Sequence, residues 1–490
     1  MYEGRTHTLF AKYAIPQMIG LLFNSVYMIV DGVFIGNVLG RDSMAAAAVA
    51  VPLIEILIAV SMAVASGAGV MISGHLARRE DDRALQVFDT ALLCAAGTGL
   101  LVAVFGNLLI HPLAKALGAT PQIHDEAVEY IRYIVTFSPF LIFSFLLSGL
   151  VRNDGRPKLA MFALAFGSVS NIVLDYVFMC PLNMGIGGAA LATAIGPVFS
   201  VLILLPHFFL KKGHLYFSPP KLKARHVRHI FTLGFPSFIM EFTIGIMTFV
   251  YNVAIVRNGY GEMGLAAYLV IGYLMLILLT LFLGMAEGLQ PVFSYFTGAG
   301  ATGRSRDLRR FATGVFLAAG IVCYGLILLF SRSFFSIFNP GDTELIAFAA
   351  RQSAYYFCGF FLAGYNILMI SFWQSTQSAQ KALLVSLGRS LVFPPLFILL
   401  LPYLFGEGVI WLCHSISEAV TACLAVVMLY GGRKETGIQN GRESCRLLTD
   451  DDAGPGPKRP GFQKATAAVA GSDVLWRASA LHPPMGGSTV

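Results

Sequence analysis

Charge is what this sequence has least of. Only 12% of its 490 residues are Asp, Glu, Lys or Arg, against about 25% in soluble globular domains, while 56% are hydrophobic. A chain with a mean hydropathy of +0.71 reads as an integral membrane protein. Cysteine is sparse too. Six of the seven (Cys94, Cys180, Cys323, Cys358, Cys413, Cys423) lie in apolar segments, the seventh is Cys445, and none forms CxxC. That spacing offers neither a disulfide framework nor a zinc site, and the residues read as small buried hydrophobes. HExxH and GxSxG are missing as well, so no catalytic residue, metal or organic cofactor is expected and the chain reads as something other than an enzyme. No short leader with a small-residue cleavage site precedes a soluble domain, so the first apolar segment is expected to stay.

What is present is a series of long apolar runs. Windows of about twenty residues predict an all-α polytopic fold of twelve spans, near 10–38, 44–73, 86–110, 126–150, 158–181, 185–211, 229–256, 263–293, 311–331, 346–372, 382–403 and 407–430. The formal charge of +7 could point to nucleic acid, but its distribution does not. Lys and Arg gather in alternate loops: Arg78, Arg79 and Arg83; Arg152, Arg156 and Lys158; the stretch from Lys211 to Arg228; Arg304 to Arg310; Lys381; and Arg433 with Lys434. The intervening loops hold one or none. This is the positive-inside pattern, and it predicts a multi-pass protein of the inner (plasma) membrane with both termini cytoplasmic.

The spans come in two sets. Shifted by 223 positions, Met62 and Ala63 meet Met285 and Ala286, Arg83 meets Arg306, and Lys158 meets Lys381; Pro16 and Pro236 each stand early in the first helix of a set. We read an internal duplication of six plus six helices. Because six is even, both copies enter from one side, so the two bundles are expected to be related by a pseudo-twofold along the membrane normal. The predicted divisions are an N-terminal six-helix bundle (1–211), a basic cytoplasmic linker (212–228), a C-terminal six-helix bundle (229–430) and a disordered cytoplasmic tail (431–490) rich in Gly, Pro and Ala.

Polar residues inside apolar spans are the candidates for chemistry. Asp31 lies well within the first span, where an ionised carboxylate costs roughly 2.5–3.5 kcal/mol at the centre of a membrane helix. Gln17, Asn24 and Asp31 are seven residues apart and read as one polar wall, with Tyr27 one turn before Asp31. In the fifth span Asn171 and Asp175 are one turn apart, and in the sixth Thr193 adds a hydroxyl after Gly187 and Gly188. Two such acids in one cavity would raise each other's proton affinity. Glu241 and Glu287 of the second half, with Gln17, Asn24 and Tyr27, are weaker candidates for a substrate or second-half cation site, while Glu55 and the His414/Glu418 pair read as packing or interfacial groups.

With these residues in view, the chain resembles the multidrug and toxic compound extrusion (MATE) transporters, in their MepA-like branch. The resemblance rests on residues 16–40, RNDGRPK (152–158), NIVLD (171–175), GGAALAT (187–193) and EGLQPVFSYFTGAG (287–300), and covers about residues 5–432. It implies a cation-coupled antiporter, H⁺ ahead of Na⁺, working as a monomer in the lipid bilayer. Its cargo would be small-molecule organic cations or drugs, exported by alternating access. The family's first-half cation site would map to Asp31, Asn171, Asp175 and Thr193, and a second-half glutamate to Glu241. Two departures stand out: residues 371–380 offer only amides and hydroxyls where some members place a second acid, and Glu287 stands where an uncharged residue is expected. The rival reading is a lipid-linked oligosaccharide flippase, which would need internal cations, for which Arg389 and Arg351 are the candidates.

Overall fold

The computed structural model describes residues 4–217, 224–336 and 342–431, and among these there is no strand. The helices are α1 Thr6–Phe34, α2 Arg41–Ala77, α3 Asp81–Leu108, α4 Ile110–Ala116, α5 His124–Asn153, α6 Pro157–Met179, α7 Gly185–Phe209, α8 Ala224–Arg257, α9 Gly261–Gly298, α10 Thr302–Phe335, α11 Thr343–Tyr356, α12 Phe360–Ser375, α13 Ala379–Leu387, α14 Phe393–Phe405 and α15 Cys413–Gly431. One wide turn of π-helix, Ile35–Leu39, extends α1, and a second, Gly388–Val392, joins α13 to α14. Among the described residues eleven stretches are long and apolar enough to cross a bilayer, and the bent pair α11–α12 makes twelve if it is one span. Leu100, Leu108, Ile321, Leu329 and Phe405 are more than half exposed on the outer face, which only lipid would cover without cost.

The expected tenth span, 346–372, is not one straight helix. α11 and α12 meet at a bend of 49°. The cause is local: Gly359 packs so tightly on the Ser415 backbone that a side chain there would have no room. Ser415 also repairs the break, since its Oγ accepts from the Gly359 N–H at 2.8 Å and donates to the Tyr356 carbonyl at 2.8 Å. Backbone groups freed inside a membrane need such partners.

Two apolar cores form. One is built from first-half residues between Ile35 and Leu215 together with Ile230 of α8. The other joins second-half helices to Leu9, Phe10, Tyr13 and Ala14 of α1. The first helix of each set therefore leans on the other set, and glycine makes the approach possible. A Cβ on Gly67 of α2 would run into the Ile230 carbonyl of α8, and one on Gly234 into the Ala63 carbonyl; on α9, Gly284 meets Met18 and Gly288 meets the Tyr13 carbonyl. The α1–α9 and α2–α8 crossings repeat one another, as a pseudo-twofold requires. Both lie toward the end of the bundle that carries Arg78, Arg79, Arg83 and Arg304, here called the basic end.

The start of the segment between the two sets is tied down. Asp154, after α5, has a fully buried carboxylate that accepts from the His214 N–H at 2.8 Å and lies 2.7 Å from His207 Nε2. Residues 218–223 of the expected linker and 432–490 of the expected tail lie outside the described residues.

Candidate functional site

The first polar cluster sits inside the first set. Asp31 on α1 and Asp175 on α6 are both buried, and their carboxyls come within hydrogen-bonding reach of each other. Two carboxylates are acceptors only, so that contact calls for a proton held between them. Asn171, one turn before Asp175, has an amide orientation that satisfies both of its ends: its nitrogen donates to Asp175 Oδ2 at 3.2 Å and its oxygen accepts from the Thr193 N–H of α7 at 3.1 Å. Asp31 Oδ1 and Asp175 Oδ1 have no hydrogen-bond partner among the described residues. Asn24, Tyr27, Asn171 and Thr193 line an adjoining cavity of about 350 Å³, together with Ser144, Ser168 and Ser200. Tyr130 of α5, buried and within hydrogen-bonding reach of Thr193, completes the surroundings.

The second cluster lies between the two sets. A cavity of about 650 Å³ takes Gln17 from α1, Ser66 from α2, Arg152 from α5, Glu241 from α8, Glu287 and Gln290 from α9, and Gln374 from α12. Met62, Phe145, Leu164, Met240, Leu283, Ile367 and Ile370 supply apolar wall. Glu287 is its hub, accepting from Gln17 Nε2 at 2.9 Å with Arg152 Nη1 at 3.7 Å. Gln374 Nε2 donates to the Leu233 carbonyl at 2.6 Å and to Ser237 Oγ at 3.0 Å, and Gln290 donates to Ser66 across the two sets. Glu55 lies within electrostatic reach of both Tyr27 and Glu241. A space with two carboxylates, one guanidinium, several amides and apolar walls is suited to a lipophilic ligand of positive charge.

Asp31, Asn171, Asp175 and Thr193 thus come together, and Asn24 and Tyr27 border them. Gln17 does not belong to that wall. It turns into the central cavity beside Glu287, because a seven-residue stripe drifts about 20° per heptad on a straight helix and fourteen residues separate it from Asp31 by about 21 Å. Glu418, read as a packing or interfacial group, is buried among the second-half helices, with Oε1 2.8 Å from Arg389 Nη2, and it accepts at Oε2 from Arg389 Nε at 3.2 Å and from Asn366 Nδ2 at 2.8 Å. His414 stacks on Tyr356 at 4.6 Å. Sequence reasoning missed Tyr130, one of 18 tyrosines with nothing local to mark it. It also filed Arg152 with the loop charges, although the residue ends α5 and is only 5% exposed. Its one signal was its place before the Asp154–Gly155 helix stop.

Comparison with known proteins follows the same outline. The profile of the MatE family matches residues 16–177 and 236–399. The multidrug export protein MepA of Staphylococcus haemolyticus (strain JCSC1435) is 26% identical over 425 residues, 86% of this chain and 92% of that protein. The protein of the same name from Staphylococcus aureus (strain NCTC 8325 / PS 47) is 25% identical over 426 residues, 85% and 92% of the two chains. Among solved structures, the outward-facing conformation of a multidrug resistance MATE family transporter of the MOP superfamily superposes with a TM-score of 0.82 at 22% identity, covering 87% of this chain and 95% of that one. A crystal structure of MATE in complex with MaD3S gives 0.81 at 22% identity, with 87% and 95% covered.

Proposed function

The chain belongs to the MatE family, a family of multidrug transporters rather than of enzymes, and from that premise we propose that it is a proton-coupled antiporter that exports lipophilic organic cations. The observation that carries the coupling half of this reading is the Asp31–Asp175 contact. Two buried carboxyls within hydrogen-bonding reach of each other can hold one proton between them, which supports H⁺ as the coupling ion. The central cavity supports the cargo half, because it sets two carboxyl groups, Glu241 and Glu287, and one guanidinium, Arg152, against apolar wall.

The cycle follows from these two places. The basic end is the cytoplasmic face of the plasma membrane by the positive-inside rule. The glycine crossings of α1 with α9 and of α2 with α8 close that end, so the described arrangement corresponds to the cytoplasm-closed member of an alternating pair. Proton entry at Asp31 and Asp175 removes charge, lets α1 shift about Pro16, and weakens the hold on a cation in the central cavity. Proton release toward the cytoplasm restores it. One charge crossing 100 mV is worth about 2.3 kcal/mol, enough for a concentration ratio of roughly fortyfold per proton for a neutral load, whereas a singly charged cation exchanged one for one draws on the pH difference alone. A flippase is disfavoured: Arg389 is neutralised by Glu418, Arg351 is exposed, and Arg152 faces Glu287, leaving little to hold a pyrophosphate.

The deciding measurement is efflux of a fluorescent organic cation from proteoliposomes under a pH gradient alone and then a sodium gradient alone. Efflux with pH only supports the reading. Efflux with sodium only, or with neither, overturns it.

A further inference from the structure

We propose that Arg152 is a tethered counter-cation for Glu287, and that the Arg152 guanidinium and a cationic cargo take turns on that one carboxylate. The inference rests on the reading of the central cavity as an organic-cation site and adds the residue with which the cargo competes. Glu287 is held on one side and open on the other. It accepts from Gln17 at 2.9 Å and lies 3.7 Å from Arg152, yet its side chain keeps 22% exposure and lines the cavity.

The pair is also loose. A charge-assisted bond between nitrogen and a carboxylate oxygen closes to about 2.7–2.9 Å, and a second buried Arg–carboxylate pair, Arg389 with Glu418, reaches 2.8 Å and adds another contact through Nε. Arg152 and Glu287 stand about an ångström beyond that range, close enough to neutralise and far enough to exchange.

The third observation is position. Arg152 and Gln17 belong to the first set of helices and Glu287 to the second, so the ion pair spans the two. It does so beside Gly288, where α9 presses on the Tyr13 backbone of α1. A cation that takes Glu287 from Arg152 keeps that carboxylate neutralised and removes one tie between the sets. When the cargo leaves, the guanidinium returns and the tie re-forms. Among the described residues, Arg152 is also the only Lys or Arg lining this cavity.

The test is binding of rhodamine 6G to the purified full chain, read by fluorescence polarisation, with hydrogen exchange of residues 284–298 as a second readout. Glu287→Gln is expected to weaken binding about tenfold, and Arg152→Gln to tighten it about tenfold, the scale of one charge-assisted contact. Both speed exchange in 284–298, since both remove the tie. In the double variant the tightening by Arg152→Gln disappears, because no carboxylate remains to compete for. Arg152→Lys keeps the charge and stays nearer wild type than Arg152→Gln. Weaker or unchanged binding in Arg152→Gln, equal tightening by Lys and Gln, or unchanged exchange in both single variants overturns the inference while the transport reading stands. Absence of rhodamine 6G binding by the wild type takes both down.

Discussion

The two halves follow one duplicated plan but bury charge in opposite ways. In the first half, Asp31 and Asp175 face each other with an amide and hydroxyls around them, and among the described residues no Lys, Arg or His pairs with either. In the second, Glu418 is clasped by Arg389 and Asn366. A carboxylate whose cation is part of the chain has its desolvation offset permanently and has nothing to exchange. A pair of acids without a built-in cation can be neutralised only by something that arrives from outside. The two halves thus hold buried acids that are balanced in different ways. That is consistent with residues 371–380 offering amides and hydroxyls alone. The second half is also where a span is broken, at Gly359, while its repeat mate α5 runs through.

The comparison can be broken most sharply by Asp31→Asn. Gradient-driven efflux should fall to the level of empty liposomes, while thermal unfolding in detergent stays near wild type because no counter-charge is stranded. Retained efflux would remove the first half from its coupling role. Glu418→Gln should do the reverse. It strands Arg389 in the second core and should cost about 3–5 kcal/mol in denaturant unfolding, a loss far larger than that of Asp31→Asn. Ser415→Ala tests whether the break in α11–α12 is held by one hydroxyl. Leaving the Gly359 N–H and the Tyr356 carbonyl without it should cost about 1–3 kcal/mol, read by the same unfolding. The smallest effect is expected of the double variant Arg389→Met/Glu418→Leu, within about 1 kcal/mol of wild type and with efflux retained, because both charges leave together. A double variant that no longer couples would mean that the second half also exchanges a cation.

Much of this molecule was legible in its residues. Eleven of the twelve expected spans are helices where the apolar windows place them and the tenth is the bent pair α11–α12, because in lipid a run of about twenty apolar residues has few alternatives to a helix that satisfies its own backbone. The Asp31, Asn171, Asp175 and Thr193 group was legible for a related reason. Polar groups are so rare inside such spans that each one is conspicuous. Less legible were the partners. Gln17 has the spacing of the Asp31 stripe and the surroundings of Glu287, and only the neighbouring helix decides between them. Arg152 looked like one more basic residue at a loop, and Glu418 looked bound to His414 one turn away rather than to Arg389 on another helix.

By itself the sequence determined the number of spans, their duplication and the face that carries the basic loops, since each follows from local composition and from the distance a helix must run to cross a bilayer. Which polar residues share a cavity was decided by the tertiary structure alone. Those pairings depend on how α1 crosses α9, how α2 crosses α8 and where α5 and α6 meet them. Such crossings are set by glycines meeting backbone on another helix, hundreds of residues away in the chain, and no local pattern records them.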